Sequence, residues 1–450
     1  MQNIIVFLLL ILTSVFSFLL DDKDLYVLFG FQLAIIAVHL TYLRYIFFLF
    51  SPLMLLIFYI NISLFVGGWA FNSGYILSSY FIERYSEWNN MNMATFFLLT
   101  SISIIYYVDS LYRSSNKGFI LQKKTLNKIP ALYAFIFFII ALIVYKMPLN
   151  LDAFGASGGF NQIFLLTGFF IVVSALVSNS GSIPITIRVL VYVLLFYILI
   201  GISINSKREA IFAIFPIIFL EFYIRNIKYN LSNIFLIVFI AIFIMVVIGY
   251  MSILRGYGSF ELNGGLQDLV LLSNYFYSDT FVSSFMDNME FSFFYFNTYN
   301  SIELILNNPD LMTWGSTLIK PLFILIPRDM VTFKPDSMIN IYTNMANPYF
   351  ASVGGSWPIN IISEFFWNFH FLSFVFILIF SIIVIRVYYS YLTSLTNMKG
   401  GMIAFSLLVY MVFIMLIRGS GFDLFLIYII CSFILVITVN SVFKLLSVQK

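Results

Sequence analysis

Long, uninterrupted runs of apolar residues constrain this chain more than any other feature of its sequence. They recur from residue 4 to residue 443, and most are long enough to cross about 30 Å of hydrocarbon as a helix. Only 10% of the residues are charged, whereas soluble proteins carry about 25%. Because the runs do not alternate apolar with polar residues, they favour helices over membrane-spanning strands. The sequence therefore predicts an all-α polytopic membrane protein.

About twelve transmembrane helices are expected from these runs. They group into helices 1–9 in residues 1–250, one large loop in residues 251–359, and helices 10–12 in residues 360–450. The first run has no Lys or Arg before it and no small-residue cleavage site, so we expect it to be retained as a helix. The predicted spans are residues 4–20, 25–43, 46–70, 93–108, 130–146, 161–178, 188–204, 210–225, 231–250, 360–385, 403–418 and 423–443.

The distribution of Lys and Arg predicts the orientation of these helices. The connection 109–129 carries five bases against the single acid Asp109, and basic connections stay in the cytoplasm. Counting spans from this connection places both termini in the cytoplasm and the 251–359 loop outside. In that arrangement Asp109 and Glu221 are the only acids on the cytoplasmic side, which agrees with the orientation obtained from the bases.

Six basic residues on the predicted outer side need an explanation. Some lie in short connections, where positive charge opposes correct insertion. One explanation is pairing with acids, Arg208 with Glu209 and Arg418 with Asp423, because charges near membrane depth usually have partners. The other is that the bases converge on an anion such as pyrophosphate, which Arg contacts through two parallel hydrogen bonds and Lys as a point charge. The six residues are Lys207, Arg208, Arg255, Arg328, Lys334 and Arg418.

The segment from Ile326 to His370 is unusually polar for this chain and is marked by Pro and Gly. It reads IPRDMVTFKP and, after a polar linker, GGSWPINIISEFFWNFH. Pro358 is predicted at the start of the tenth span, which puts Glu364 about two turns inside the helix. An acid at that depth is a functional candidate, either as a base that accepts a hydroxyl proton or in an ion pair with an outer arginine. Asn368, four residues later, shares its face.

Few other residues suggest a catalytic, metal-binding or ligand-binding role. The two histidines are too few for a histidine-based metal site, and His39 is expected to be a hydrogen-bonded packing residue. The acidic turn 21–24 is interpreted as an outer loop. No nucleotide-binding or nucleophile-elbow motif is present. Aromatic residues in the large loop, such as Phe294 and Tyr295, either stack on sugar rings or anchor an amphipathic helix at the membrane interface, and we favour the anchor. No metal, cofactor or nucleic-acid partner is expected.

The pattern IPR…KP followed by GGS-x-P…EFFWNF resembles the bacterial oligosaccharide repeat-unit polymerases, the Wzy-type O-antigen and capsule polymerases. SKRE at 206–209 and Arg-Gly-Ser at 418–420 fit the same pattern. The clearest match covers about 45 residues of the chain. His370 departs from it, since relatives often have Gly there. The resemblance implies a glycosyltransferase C-like fold in the bacterial cytoplasmic membrane.

The resemblance also implies an activity, which is transfer of the growing glycan from undecaprenyl pyrophosphate onto the next lipid-linked repeat unit without a metal. Glu364, Arg328 and Arg208 are then the predicted catalytic residues. Membrane lipids, a chain-length regulator and a flippase are the further partners implied. The residues predicted to hold pyrophosphate or glycan are Lys207, Arg255, Lys334, Arg418 and Asn368.

Two other functions are compatible with the sequence. One is a lipid-linked oligosaccharide flippase or another transporter, and the other is an O-antigen ligase that moves finished glycan to another acceptor. A flippase needs charge spread through the depth of the membrane. The predicted spans are nearly free of charge in their interiors, and the candidate charges cluster at one face. This distribution favours an enzyme with a one-sided site over a transporter.

Overall fold

Helices make up the regular structure of the described part of the chain, where no strand is found. The computed structural model describes residues 2–41, 46–76, 78–115, 130–146, 159–202, 207–225, 281–323, 335–394 and 400–448, together with a few single positions between 227 and 277. The predicted all-α class is therefore confirmed for these residues. The predicted span 231–250 lies almost entirely outside them.

The helices of the first half follow the predicted spans closely. They are α1 Gln2–Val15, α2 Tyr26–Leu40, α3 Pro52–Asn72, α4 Ser79–Ser86, α5 Met91–Ser115, α6 Ala131–Lys146, α7 Gly159–Ser178, α8 Ile185–Ile202 and α9 Lys207–Arg225. The helices of the second half are α10 Phe281–Met289, α11 Phe291–Asn307, α12 Ser316–Ile319, α13 Met338–Ala346, α14 Pro348–Ser352, α15 Ile361–Phe369, α16 Ser373–Ser394, α17 Gly400–Arg418 and α18 Phe422–Val448.

Several of these helices are suited to a membrane. Five helical segments are long and apolar enough to span one, and these are Asp22–Leu40, Pro52–Asn72, Met91–Ser114, Asn161–Ser178 and Ile361–Leu392. The shorter helix α6 exposes one apolar face, with Leu132, Ile136, Ile139 and Ile143 each 45–70% exposed. A continuous face of this kind is stable against lipid rather than water. The protein is therefore embedded in a membrane.

α11, which lies inside the predicted large loop, packs directly against α3. Gly67 and Gly68 of α3 allow the approach, since a Cβ on Gly67 would lie 2.5 Å from the Cβ of Tyr295 and 2.6 Å from the carbonyl oxygen of Phe291. Phe294 and Tyr295 are buried in this interface, where Phe294 meets Tyr59 edge to face at 5.0 Å. The prediction that these two aromatics anchor an interfacial helix was therefore wrong, because their rings pack in the core.

α11 also forms hydrogen bonds with the N-terminal end of α5. Glu303 is buried, and its Oε1 accepts a hydrogen bond from the backbone N–H of Asn90 at 2.6 Å. The amide of Asn90 and that of Asn307 donate to its other oxygen. This carboxylate satisfies an N–H at the helix N-terminus, which would otherwise lack a partner. Burial raises the pKa of Glu303.

The middle of α11 holds the segments that follow it in the chain. Its Thr298 accepts from Asn360 at 2.7 Å, and the carbonyl of Ser301 accepts from the indole N–H of Trp367 at 2.7 Å. Asn297 accepts from the hydroxyl of Tyr342 at 3.0 Å. Through these hydrogen bonds α11 fixes α13 and α15 relative to the bundle.

The predicted tenth span is two helices rather than one. Asn360, and not Pro358, caps the start of α15, and α15 ends at Phe369. His370 then takes the left-handed φ of 50°, and α16 begins at Ser373. The segment Ile361–Leu392 contains this break and still has a high mean hydropathy, so averaged hydropathy does not detect the break although Asn368 and His370 lie at it. The lipid-facing helix therefore starts near residue 373, and α15 is a separate, buried element.

The two acids predicted on the cytoplasmic side are both buried in ion pairs. Asp109 lies 2.9 Å from Arg113, because α5 continues past the predicted start of its connection at 109. Glu221 lies 2.9 Å from Arg188. The spans thus contain more charge than expected, but each of these charges is neutralised within its pair. His39 is hydrogen-bonded to Tyr106 at 2.6 Å, which confirms its predicted packing role.

Because α11 and α3 approach closely at Gly67, we expect alanine to destabilise the protein at this glycine but not at a glycine with open space around it. Gly67→Ala forces a methyl group into the backbone of α11, and such overpacking typically destabilises by about 1–3 kcal/mol. The control is Gly181→Ala, since nothing lies within 4 Å of a Cβ at Gly181. We expect thermal unfolding of the detergent-purified protein to shift downward for Gly67→Ala and to stay unchanged for Gly181→Ala. Equal transition temperatures would contradict the packing.

Candidate functional site

Glu364 lies in the first turn of α15 and is 2% exposed. The sequence placed it two turns into a longer helix, and the difference arises because Asn360 caps α15 by accepting from the N–H of Ser363 at 3.0 Å. A carboxylate in a first turn interacts favourably with the helix dipole. The hydroxyl of Thr317 donates to Oε1 of Glu364 at 3.1 Å. This carboxylate is therefore held in one orientation at the end of a buried helix.

Asn368 shares a face with Glu364, as predicted from their spacing. Its amide N–H groups donate to the carbonyl oxygen of Glu364 and to Oγ1 of Thr317, both at 2.8 Å. Its amide oxygen accepts from the hydroxyl of Thr313 at 2.8 Å and from the N–H of Gly315 at 2.9 Å. These four bonds use the full capacity of the amide. In this arrangement Asn368 positions the protein chain around Glu364 rather than offering groups to a ligand.

The turn 313–317 wraps around the C-terminal end of α15. The N–H of Thr313 donates to the carbonyl of Trp367 at 3.1 Å, which satisfies a carbonyl in the last turn of the helix. Trp314 and Gly315 both take left-handed backbone angles, with φ of 50° and 83°. The turn leads into α12, which carries Thr317 to Glu364.

Arg418, at the end of α17, is paired with Glu290, which lies between α10 and α11. Its Nε donates to Oε2 of Glu290 at 2.6 Å, and its Nη2 contacts the same oxygen. The sequence suggested Asp423 as the partner, whose side chain lies outside the described part of the chain. Both paired side chains are mostly buried, with 11% of Arg418 and 22% of Glu290 exposed. The ion pair therefore joins α17 to the start of α11.

The turn after Arg418 touches the segment that leads into α15. A Cβ at Gly419, which has φ of 112°, would lie 2.6 Å from the carbonyl oxygen of Ile359, so only glycine fits this contact. Beside it, the rings of Phe365 and Phe422 meet at 6.2 Å. The turn after Arg418 is therefore in contact with the start of the helix that carries Glu364 and Asn368.

The remaining predicted site residues are described only in part. α9 begins at Lys207, but the side chains of Lys207 and Arg208 lie outside the described residues. Arg255, Arg328 and Lys334 also lie outside them.

Sequence reasoning missed Glu290 and Thr317. Glu290 is 128 positions from Arg418, and no local pattern links residues so far apart. A weak signal existed, because an acid between apolar residues is rare in a chain with 10% charged residues and usually has a partner. Thr317 carried no comparable signal.

Comparison with models of known protein families, with curated proteins and with solved structures found no match to this chain. The interpretation of the site accordingly depends on its own geometry and chemistry.

The saturated hydrogen bonding of Asn368 predicts that it acts on stability. Asn368→Ala removes four buried hydrogen bonds, each worth about 0.5–1.5 kcal/mol, and should lower the thermal transition of the purified protein by several degrees. Asn344→Ala, in an exposed position of α13, is the control and should leave the transition unchanged. An unaltered transition for Asn368→Ala would show that the turn 313–317 does not depend on this amide.

Proposed function

We propose that this protein is a glycosyltransferase that polymerises undecaprenyl-pyrophosphate-linked oligosaccharide repeat units into O-antigen or capsular polysaccharide. It acts on the outer face of the bacterial cytoplasmic membrane. The proposal includes a glycosyltransferase C-like fold with about twelve spans. The observation that supports it most is the buried carboxylate of Glu364, which Thr317 orients in a helix whose leading segment contacts the turn after Arg418.

The chemistry requires a base and a stabiliser of negative charge. The acceptor hydroxyl oxygen forms a bond to the anomeric carbon while the bond from that carbon to the pyrophosphate oxygen breaks. The electron pair of the broken bond remains on the pyrophosphate, and the hydroxyl proton passes to Glu364. Preorganised cations stabilise the departing pyrophosphate more strongly than the intact substrate. Arg328 and Arg208 retain their proposed catalytic roles, and Lys207, Arg255 and Lys334 their roles in binding.

Arg418 is suited to stabilise the negative charge on the departing pyrophosphate. Glu290 accepts a hydrogen bond from its Nε and forms an ion-pair contact with its Nη2, but Nη2 makes no hydrogen bond to the residues that the structure describes. A guanidinium carries five N–H groups, so one carboxylate leaves donors for a phosphate oxygen. Glu290 keeps the cation in place in the absence of substrate, since an unpaired buried charge is strongly destabilising.

The position of the site relative to the basic connection supports an outward orientation. Asn3, at the start of α1, donates to the carbonyl of Ser110 at 3.3 Å, so the start of α1 and the end of α5 lie at one end of the bundle. The basic connection follows that end directly. Glu303 and Asn90 meet at the opposite end of α5, and the ring of Phe97 there packs on Phe366 of α15 at 4.5 Å. The proposed site and the start of α1 therefore lie at opposite ends of the bundle, which supports the expected orientation.

The charge distribution favours an enzyme over a flippase. The buried charges at the basic end are locked in the pairs Asp109–Arg113 and Arg188–Glu221, and a hydroxyl also donates to each acid. A transported anion would need cations available at successive depths. A ligase would use the same donor chemistry and would differ in its acceptor.

Incubation of the purified protein with lipid-linked repeat units distinguishes these functions. Polymerisation gives a ladder of products on undecaprenyl pyrophosphate, and a ligase gives single transfer to another acceptor. Transport without a covalent product would overturn the proposal.

Arg418→Ala should reduce chain extension at least about tenfold, because a charged hydrogen bond is worth about 1.5–3 kcal/mol. Arg418→Lys should restore it only in part.

Two variants separate catalysis from folding. Arg84→Ala removes an exposed arginine that pairs with Glu87 at 2.9 Å and should leave chain extension unchanged. The double variant Arg418→Met with Glu290→Met removes both charges of the pair, so it should fold while remaining inactive. Normal extension by that double variant would show that the ion pair is only structural.

A further inference from the structure

Trp314 differs from the other tryptophans in its exposure. Its side chain is 76% exposed, whereas Trp69 is 37% exposed and Trp88, Trp357 and Trp367 are at most 8% exposed. It also takes the left-handed φ of 50°, which is an outlier for a bulky residue. A large indole is thus presented to the surroundings from a strained turn.

The turn is held in this shape by its neighbours. Asn368 accepts from Gly315 and from Thr313, on either side of Trp314, and Thr313 is also bonded to the carbonyl of Trp367. A strained backbone persists only where the surrounding structure determines it, and such positions concentrate at functional sites. The position of Trp314 is therefore fixed relative to α15.

The residues around Trp314 point to a polar ligand. Thr317, three positions later, donates to Glu364 at 3.1 Å, so the indole belongs to the same structural unit as the proposed base. Asp310, four positions before Trp314 in the chain, is exposed and presents a carboxylate that accepts hydrogen bonds. An indole that enters lipid would be unfavourably placed beside an acid, since carboxylates at membrane depth are costly.

We propose that Trp314 is a stacking platform for a sugar ring of the repeat unit, with Asp310 accepting hydrogen bonds from its hydroxyl groups. This inference rests on the proposed function and specifies where the glycan lies. The C–H groups on the apolar face of a pyranose are weakly positive and complement the negative face of the indole. Binding there places the sugar next to the turn that orients Glu364.

The test uses the protein in lipid nanodiscs and the soluble oligosaccharide released by mild acid from the lipid-linked repeat unit. The fluorescence of the wild type minus that of Trp314→Phe isolates the signal of Trp314. Oligosaccharide should protect this signal from acrylamide, and brominated lipids should not quench it. In turnover assays Trp314→Ala should raise KM about tenfold, the equivalent of about 1.4 kcal/mol, with little change in kcat. Trp314→Phe should retain part of the affinity.

Tyr349→Ala is the matched control, because Tyr349 is 79% exposed on α14 and should leave KM unchanged. Quenching of Trp314 by brominated lipids without protection by oligosaccharide would overturn the inference and identify an interfacial anchor. Polymer formation with an unchanged KM for Trp314→Ala would also overturn it, while leaving the proposed function intact. Protection by oligosaccharide in a protein that makes no polymer would support the stacking site and refute the polymerase.

Discussion

The packing of α11 against α3 is the interaction on which the rest of the site depends. Gly67 and Gly68 remove the side chains that would keep the two helices apart, and Phe291 and Tyr295 occupy the space. α11 thereby becomes an internal helix of the bundle although it lies in what the sequence presents as a loop. In the middle of α11, Thr298 and Ser301 then accept hydrogen bonds from Asn360 and Trp367, at the two ends of α15.

This arrangement explains how a membrane protein holds a carboxylate in place without a local scaffold of strands. Within a low-dielectric interior, satisfied polar networks are strong and unsatisfied ones are costly. α11 anchors α15, α15 carries Asn368, and Asn368 shapes the turn that brings Thr317 to Glu364. Arg418 is tied to the same helix through Glu290. α11 thus fixes the positions of both the proposed base, Glu364, and the proposed cation, Arg418.

The sequence predicted the helical class and the apolar segments because both depend on local composition. It placed Glu364 and Asn368 on one face because a spacing of four residues is a local property of a helix. The break at His370 escaped detection because the hydropathy averaged over the surrounding segment stays high, although Asn368 and His370 themselves are polar. α11 was taken for part of a loop because its polar residues, including Asn297 and Glu303, are buried by partners distant in the chain.

The pairing of Arg418 shows the same limit. Local reasoning offered Asp423, five positions away, whereas the structure pairs Arg418 with Glu290, 128 positions away. The assignment of the acid required the fold, although the need for one was visible in the sequence. When the partner of a charged residue is distant in the chain, the sequence indicates that the charge needs a partner. It does not identify which residue that partner is.

The side of the membrane on which the site lies is tested most directly by cysteine accessibility. With Cys431 replaced by Ala, single cysteines are introduced at Tyr349 and Thr41, both of which are exposed. A membrane-impermeant maleimide should label position 349 in intact spheroplasts and position 41 only after permeabilisation. Labelling of position 41 but not of position 349 in intact spheroplasts would place the site in the cytoplasm, where it could not act on repeat units at the outer face.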